Sequence, residues 1–332
     1  MVFAIRDGAA AQDKLKLLEL IRDRRIKENT LAQTVQLFQA GGHLKDPREV
    51  TIIMKAFTQR HMWEHALGIL TGMRHCSLQP NLISYSAAIN ACEKAEQWQR
   101  ALGILGEMRE RRLEPNTISY NTAISACSKG RHWEWALGIL REMYQRGLTP
   151  NMISYSTTIS ACEKGGQWQR AVALLAEMLE TELEINLISY NAAMSACEKG
   201  LQWERALRIL AVMLEGVLEP DVISYNVLIS SCSKGQQWQQ ALTRLFEMLQ
   251  CSVLPDFISY SAAISSCEKS AQWEVALEIL TSMRKCVLEP DVIHFSAAIS
   301  ACQRSEQWTI SFRLLTEMHE SVLKPNVFSY SA

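Results

Sequence analysis

The chain lacks the usual anchors of a metal or redox centre. Its ten cysteines include no C-x-x-C pair and no zinc-ligand spacing, which removes zinc ribbons and dithiol redox sites. No apolar run approaches the ~18 residues that a membrane-spanning helix needs. Net charge is missing as well. With 34 basic and 35 acidic residues the formal balance is −1, which excludes a wholesale polyanion sponge but leaves room for a local basic stripe. There is no glycine-rich phosphate cradle, no nucleophile elbow, and no H-x-E with C-x-x-C of the deaminase kind. One motif does match: His61, Glu64 and His65 stand as H-x-x-E-H, an inverted zinc-protease pattern. It coincides with a segment that elsewhere reads AEQWQR or GRHWEW, so its expected role is structural. No catalytic residue, metal, cofactor or small-molecule substrate is expected. The start MVFAIRDGAAAQD carries acids early, and the first serine is Ser77; a transit peptide would be serine-rich and acid-poor.

What the chain does have is a period. The stretch from Leu82 to Asn116 returns at Thr117, Met152, Leu187, Val222, Phe257 and Val292, each start 35 residues after the last. Ser84, Tyr85, Cys92, Lys94, Trp98, Met108 and Pro115 recur within it. A period of this length with helical patterning means an all-α solenoid of tandem helix-turn-helix repeats, each burying its apolar face only by stacking on neighbours. In the first helix Tyr85, Ala88, Ile89 and Cys92 form one apolar stripe, with Ser84 the expected N-cap. The second helix is expected to bury Trp98, Ala101, Leu102, Leu105 and Met108, and Pro115 then stops it. The periodic cysteines read as small buried thiols. Residues 1–46 keep helical patterning without the repeat signature and are expected to form an end cap, or degenerate repeat, of two helices. Residues 47–81 read as a diverged first unit, 82–326 as seven regular ones, and 327–332 as the start of a truncated ninth.

Projected at about 100° per residue, the face opposite the apolar stripe holds an isoleucine, a serine or asparagine, a small polar residue and a cation. In the first regular unit these are Ile83, Ser86, Asn90 and Lys94. The isoleucine column continues as Ile118, Ile153, Ile188, Ile223, Ile258 and Ile293, and the cation column as Lys129, Lys164, Lys199, Lys234, Lys269 and Arg304. Solvent alone does not call for an isoleucine at every repeat. An apolar branch, a hydrogen-bonding group and one cation per unit suit a ligand with a repeating flat ring and a repeating anion, which is single-stranded nucleic acid. The alternative is that the lysines complement the helix C-terminal dipole and the isoleucines pack between repeats, and the phosphate reading is the favoured one. A protein-binding scaffold of the helical-solenoid type is the alternative class of function.

The period, the ISYN or ISYS opening and the closing Pro-Asn or Pro-Asp resemble P-type pentatricopeptide repeats over residues 47–326. That resemblance implies a right-handed superhelix whose first helices line an RNA groove, with one base per repeat. It implies base selection by a polar residue early in the first helix together with the last residue of the unit. Those pairs are Thr51/Asn81, Ser86/Asn116, Asn121/Asn151, Ser156/Asn186, Asn191/Asp221, Asn226/Asp256, Ser261/Asp291 and Ser296/Asn326. The isoleucines would sandwich the bases and the cations would meet phosphate. In the family, serine or threonine goes with purines and asparagine with pyrimidines, while terminal Asn goes with A or C and Asp with G or U. The implied target is 5′-AACAUUGA-3′. Also implied are work in a chloroplast or mitochondrion, in RNA processing, stabilisation or translation, and RNA-processing proteins as partners. The diverged unit has Arg48 and Gln59 where Ile and Lys belong, and Ile185 replaces the usual proline before Asn186.

Overall fold

A computed structural model describes residues 21, 28–40, 47–75, 79–181, 183–216, 218–321 and 323. These form helices and turns only. The expected first cap helix, apart from Ile21, and the start of a ninth unit fall outside the described residues. The chain divides into two compact units, residues 1–161 and 162–332.

The first unit contains α1 (Glu28–Ala40), α2 (Pro47–Thr58), α3 (Trp63–His75), α4 (Leu82–Lys94), α5 (Trp98–Glu110), α6 (Thr117–Lys129) and α7 (Trp133–Gln145). The division falls within α8 (Met152–Lys164). The second unit continues with α9 (Trp168–Glu180), α10 (Leu187–Lys199), α11 (Trp203–Glu215), α12 (Val222–Lys234) and α13 (Trp238–Gln250). It ends with α14 (Phe257–Lys269), α15 (Trp273–Lys285), α16 (Val292–Arg304) and α17 (Trp308–Glu320). In both units the first helix of a pair packs on its own second helix and on the first helix of the next pair: α4 meets α5 and α6, and α14 meets α15 and α16.

The expected stripes form the core, except that on the second helix Leu102 is only half-buried and Ile104 is buried instead. Tyr85, Ala88, Ile89 and Cys92 are buried on α4, and Ala101, Ile104, Leu105 and Met108 on α5, with the same columns buried in the second unit. Burial pushes the Cys92 thiol up to about 11 and that of Cys267 up to about 12, so these thiols stay protonated and inert.

Two further expectations are corrected. The N-cap of α4 is Asn81, whose Oδ1 accepts from the Ser84 amide at 3.0 Å, and Ser84 is the third helical residue. Both residue types cap well, and the buried Pro80 lies just ahead of Asn81. Proline is not what decides, since Asn186 caps the same way after Ile185; the backbone of Asn81 is extended (φ −104°, ψ 176°) while Ser84 is already inside the helix, and a cap residue must be non-helical. The tryptophans, second, are not core. Trp98, Trp168 and Trp203 are half-buried at the starts of their helices, and Trp308 is 69% exposed. Trp98, Trp168 and Trp203 each lie against the turn of the following pair: a Cβ on Gly200 would meet Trp168 Cδ1 at 2.3 Å and one on Gly235 would meet Trp203 Cδ1 at 2.5 Å.

The turn between the helices of a pair is tight. Gln97 N–H reaches back to Cys92 O at 2.8 Å, and Glu96 between them takes φ 59°. This is the left-handed closure that glycine fills most easily, yet only Gly166 (φ 69°) is glycine there, while Arg131, Leu201, Gln236, Ala271 and Glu306 are not.

Candidate nucleic-acid interface

The isoleucine column stands in solvent. Ile83 is 58% exposed and Ile188 64%, and Ile118, Ile153, Ile223, Ile258 and Ile293 are exposed too. They are not packed between repeats. In the first unit Ile83 and Ile118 help line a cavity of about 600 Å³, together with Thr51, Ser86, Asn90 and Lys94. An apolar wall, a hydroxyl, an amide and an ammonium group thus converge where the first helices of three pairs meet.

The unit-terminal residues have a second task. Asn81, Asn116, Asn186, Asp221, Asp256 and Asp291 are the N-caps of α4, α6, α10, α12, α14 and α16, and each uses Oδ1 for the helix amides. Asn151 does the same to Ser154 N at 3.1 Å. In the aspartate cases burial pushes the carboxyl up, but hydrogen bonds from the serine or histidine three residues on outweigh it and hold Asp221, Asp256 and Asp291 below the ordinary carboxylate value.

The first-helix asparagines are joined to these caps. Asn121, Asn191 and Asn226 each donate Nδ2–H to Oδ1 of Asn151, Asp221 and Asp256, at 3.2, 3.2 and 3.1 Å. Their own Oδ1 accepts from Ser154, Ser224 and Ser259 at 2.6, 2.7 and 2.5 Å. The amide is therefore locked in one orientation. Serines at the same place bond differently: Ser86, Ser156 and Ser296 donate to the carbonyls of Leu82, Met152 and Val292. Ser156, which would be exposed on the helical projection, is buried. Asn326 lies outside the described residues.

The cations are less free than their column suggests. Lys129, Lys199 and Lys234 pair with Glu93, Glu163 and Glu198 at 2.8, 2.5 and 2.9 Å, and Arg304 approaches Glu268 at 3.9 Å. Ser125, Ser195 and Ser230 donate to the first three carboxylates. Lys269 instead donates to the Ser233 carbonyl at 3.3 Å. Among the described residues no carboxylate pairs with Lys94, Lys164 or Lys269. Sequence reasoning missed this glutamate row; the signal was its fixed place one residue before each lysine, with serine substituted at Ser128 and Ser233.

The H-x-x-E-H motif gathers no site. His61 Nδ1 sits 2.8 Å from the Lys94 carbonyl and His65 stacks on Phe57. Among the described residues no three His, Cys, Asp or Glu side chains are placed to hold a metal.

Several family models match. A pentatricopeptide repeat domain model covers residues 68–130, 173–235, 245–305 and 288–332, more than half of the chain. A PPR repeat family model covers 115–164, and a PPR repeat model 153–182 and 223–253. No curated protein matches the chain. Among solved structures, the pentatricopeptide repeat protein PPR10 from maize aligns at TM-score 0.66 and 21% identity, over 94% of this chain and 46% of that one. The chain therefore spans about half the length of the maize protein. A structure of PPR10 in complex with an 18-nt psaJ RNA element aligns at TM-score 0.46 and 17% identity, over 98% of this chain and 58% of that one. The PPR domain of Arabidopsis thaliana protein-only RNase P 1 in complex with tRNA aligns at 0.47 and 16%, over 52% and 90%.

Proposed function

The chain belongs to the pentatricopeptide repeat family, and from that membership we propose that it binds single-stranded RNA sequence-specifically, one base per repeat. The observation that carries this reading is the shared cap. In every unit-terminal residue just described, Oδ1 is taken by the helix that follows. What remains for a ligand is the other arm of the fork: an N–H donor in asparagine and a carboxylate acceptor in aspartate. A donor suits the ring nitrogen acceptor of A or C, and an acceptor suits the N–H of G or U, on the Watson–Crick edges that single-stranded RNA presents. The family's sorting rule then has a physical basis in these residues.

The first-helix residue sets size. A locked asparagine amide fills more of the gap than a serine hydroxyl drawn back to its own helix, which favours a pyrimidine at the former and a purine at the latter. The exposed isoleucines supply apolar surface for the base faces, and stacking contributes ~1–3 kcal/mol per base. Lys94, Lys164 and Lys269 are the cations best placed to meet phosphate, because no glutamate competes for them. Read 5′ to 3′ along the repeats, the target is A-A-C-A-U-U-G-A, and the setting is organelle RNA processing, stabilisation or translation.

Selection of the purified chain against a randomised RNA pool tests the reading. Enrichment of AACAUUGA or a close variant is the expected outcome. Recovery of RNAs with no common sequence, or of none, would leave the exposed isoleucine row to a protein partner.

A further inference from the structure

One of the seven regular units breaks the pattern around the cap. The third residue of the first helix is serine at Ser84, Ser119, Ser154, Ser189, Ser224 and Ser259, but histidine at His294. Its side chain is fully buried. Nδ1 lies 2.6 Å from Asp291 Oδ1, while Nε2 lies 3.0 Å from Ser261 Oγ and 3.2 Å from the Phe257 carbonyl. The imidazole therefore touches both residues of the pair proposed to read the seventh base, Ser261 and Asp291. Nε2 also stands beside the carbonyl that Ser261 would otherwise use, and takes it when protonated: Ser86, Ser156 and Ser296 each donate to the carbonyl four residues back, and for Ser261 that is Phe257. The described structure gives Ser261 Oγ one partner, His294 Nε2.

We propose that His294 is a specificity-determining residue for the seventh base, acting as a positioning residue that sets whether Ser261 offers the base a lone pair or a proton. The inference rests on the RNA reading above. Nδ1 has two neighbours, the Asp291 amide N–H at 3.4 Å and Asp291 Oδ1 at 2.6 Å; the ionised carboxylate can only accept and is much the closer, so Nδ1 carries a proton. In the neutral imidazole Nε2 then has a lone pair and accepts from Ser261, turning the serine's lone pairs to the groove. With the free oxygen of Asp291 this makes two acceptors, matching the N1–H and N2–H donors of guanine. In the imidazolium Nε2–H donates to Ser261 Oγ and to the Phe257 carbonyl. Ser261 then keeps its own proton for the base, and the guanine match is lost at this site alone. The charged group against the imidazole is Asp291, on its own helix; α14 contributes the Ser261 hydroxyl and the Phe257 carbonyl and ring, all uncharged.

The test compares RNAs of sequence AACAUUGA and AACAUUAA, with a second pair differing only at the fifth base as control, from pH 8.5 to pH 5.5. Wild type should prefer G at the seventh base at high pH and lose about tenfold of that preference as the pH falls, the order of one hydrogen bond exchanged for a mismatch. The control base should hold its preference throughout. His294→Ser, which restores the residue found in six other units, should make the seventh-base preference independent of pH. Thermal melting of the variant, and its unchanged preference at the fifth base, separate misfolding from the proposed effect. A seventh-base preference that is flat with pH in wild type, or that varies equally in His294→Ser, overturns the role of His294 and leaves the RNA reading intact. Absence of preference at both bases overturns the RNA reading, and the inference falls with it.

Discussion

Replacing Asp221 by asparagine and, in parallel, by alanine separates recognition from folding. Asp221 Oδ1 accepts from Ser224 N at 2.8 Å, from Ser224 Oγ at 2.8 Å and from Asn191 Nδ2 at 3.2 Å. Asparagine retains that oxygen, and Asn186 already makes the same amide bond to Ser189 at 3.0 Å. Asn and Asp cap helices about equally, so Asp221→Asn should change stability by less than about 0.5 kcal/mol. What changes is the free arm, from acceptor to donor, and with it the match at the fifth base. A paired edge contact discriminates by ~1–3 kcal/mol, so the ratio of U to C affinity should shift by roughly 5–150-fold toward C. Asp221→Ala removes the cap, at about 1 kcal/mol, and leaves the half-buried Asn191 amide short of a partner, at about 1 kcal/mol more. The alanine variant should therefore lose ~2 kcal/mol in urea denaturation followed by circular dichroism. Binding is read by fluorescence anisotropy against RNAs differing only at the fifth base. If the asparagine variant melts like the alanine one, the cap is not shared as described. If its preference moves at another base, the assignment of bases to repeats is wrong.

The three capping aspartates also set an acid limit. Their folded pKa values are depressed, so the stability they contribute is full above the unfolded carboxylate value of about 3.9 and is lost as pH falls below it; replacing all three by asparagine should flatten the acid limb of a pH–melting profile below about pH 4. Salt dependence should be shallow, with a log–log slope of about −2 rather than about −5, because some three of the seven cations lack a carboxylate neighbour. Glu198→Gln, which frees Lys234, should steepen that slope by about 0.7 in titrations between 50 and 200 mM salt; an unchanged slope would mean that the lysine does not meet phosphate. Leu201 is 61% exposed with φ 57°, so Leu201→Gly should raise stability by ~1 kcal/mol, seen as a higher urea midpoint at constant m. Trp203→Ala should cost roughly half of the ~3–5 kcal/mol of a fully buried aromatic, since the indole is half-buried over Gly235.

The period and its apolar stripes determined a great deal without coordinates. A residue at i, i+3, i+4 or i+7 must share a helix face, so the buried Tyr85, Ile89 and Cys92 column and the outward Ile83 column were both legible. So was the proline stop, which follows from a missing N–H. Tertiary structure decided what a helical projection cannot contain: which atoms of neighbouring pairs touch. Asn81 and Ser84 are both good caps, and only the backbone, extended at Asn81 and helical at Ser84, chose between them. Lys129 and Glu93 are 36 residues apart, so their 2.8 Å contact depends on how closely successive first helices pack. Ser156 lies on the outward projection yet is covered, because burial is set by what lies alongside and not by angle about the helix axis alone. His294 reads in the sequence as the one departure from serine among the seven regular units. Its position between Ser261 and Asp291 exists only once α14 and α16 pack side by side.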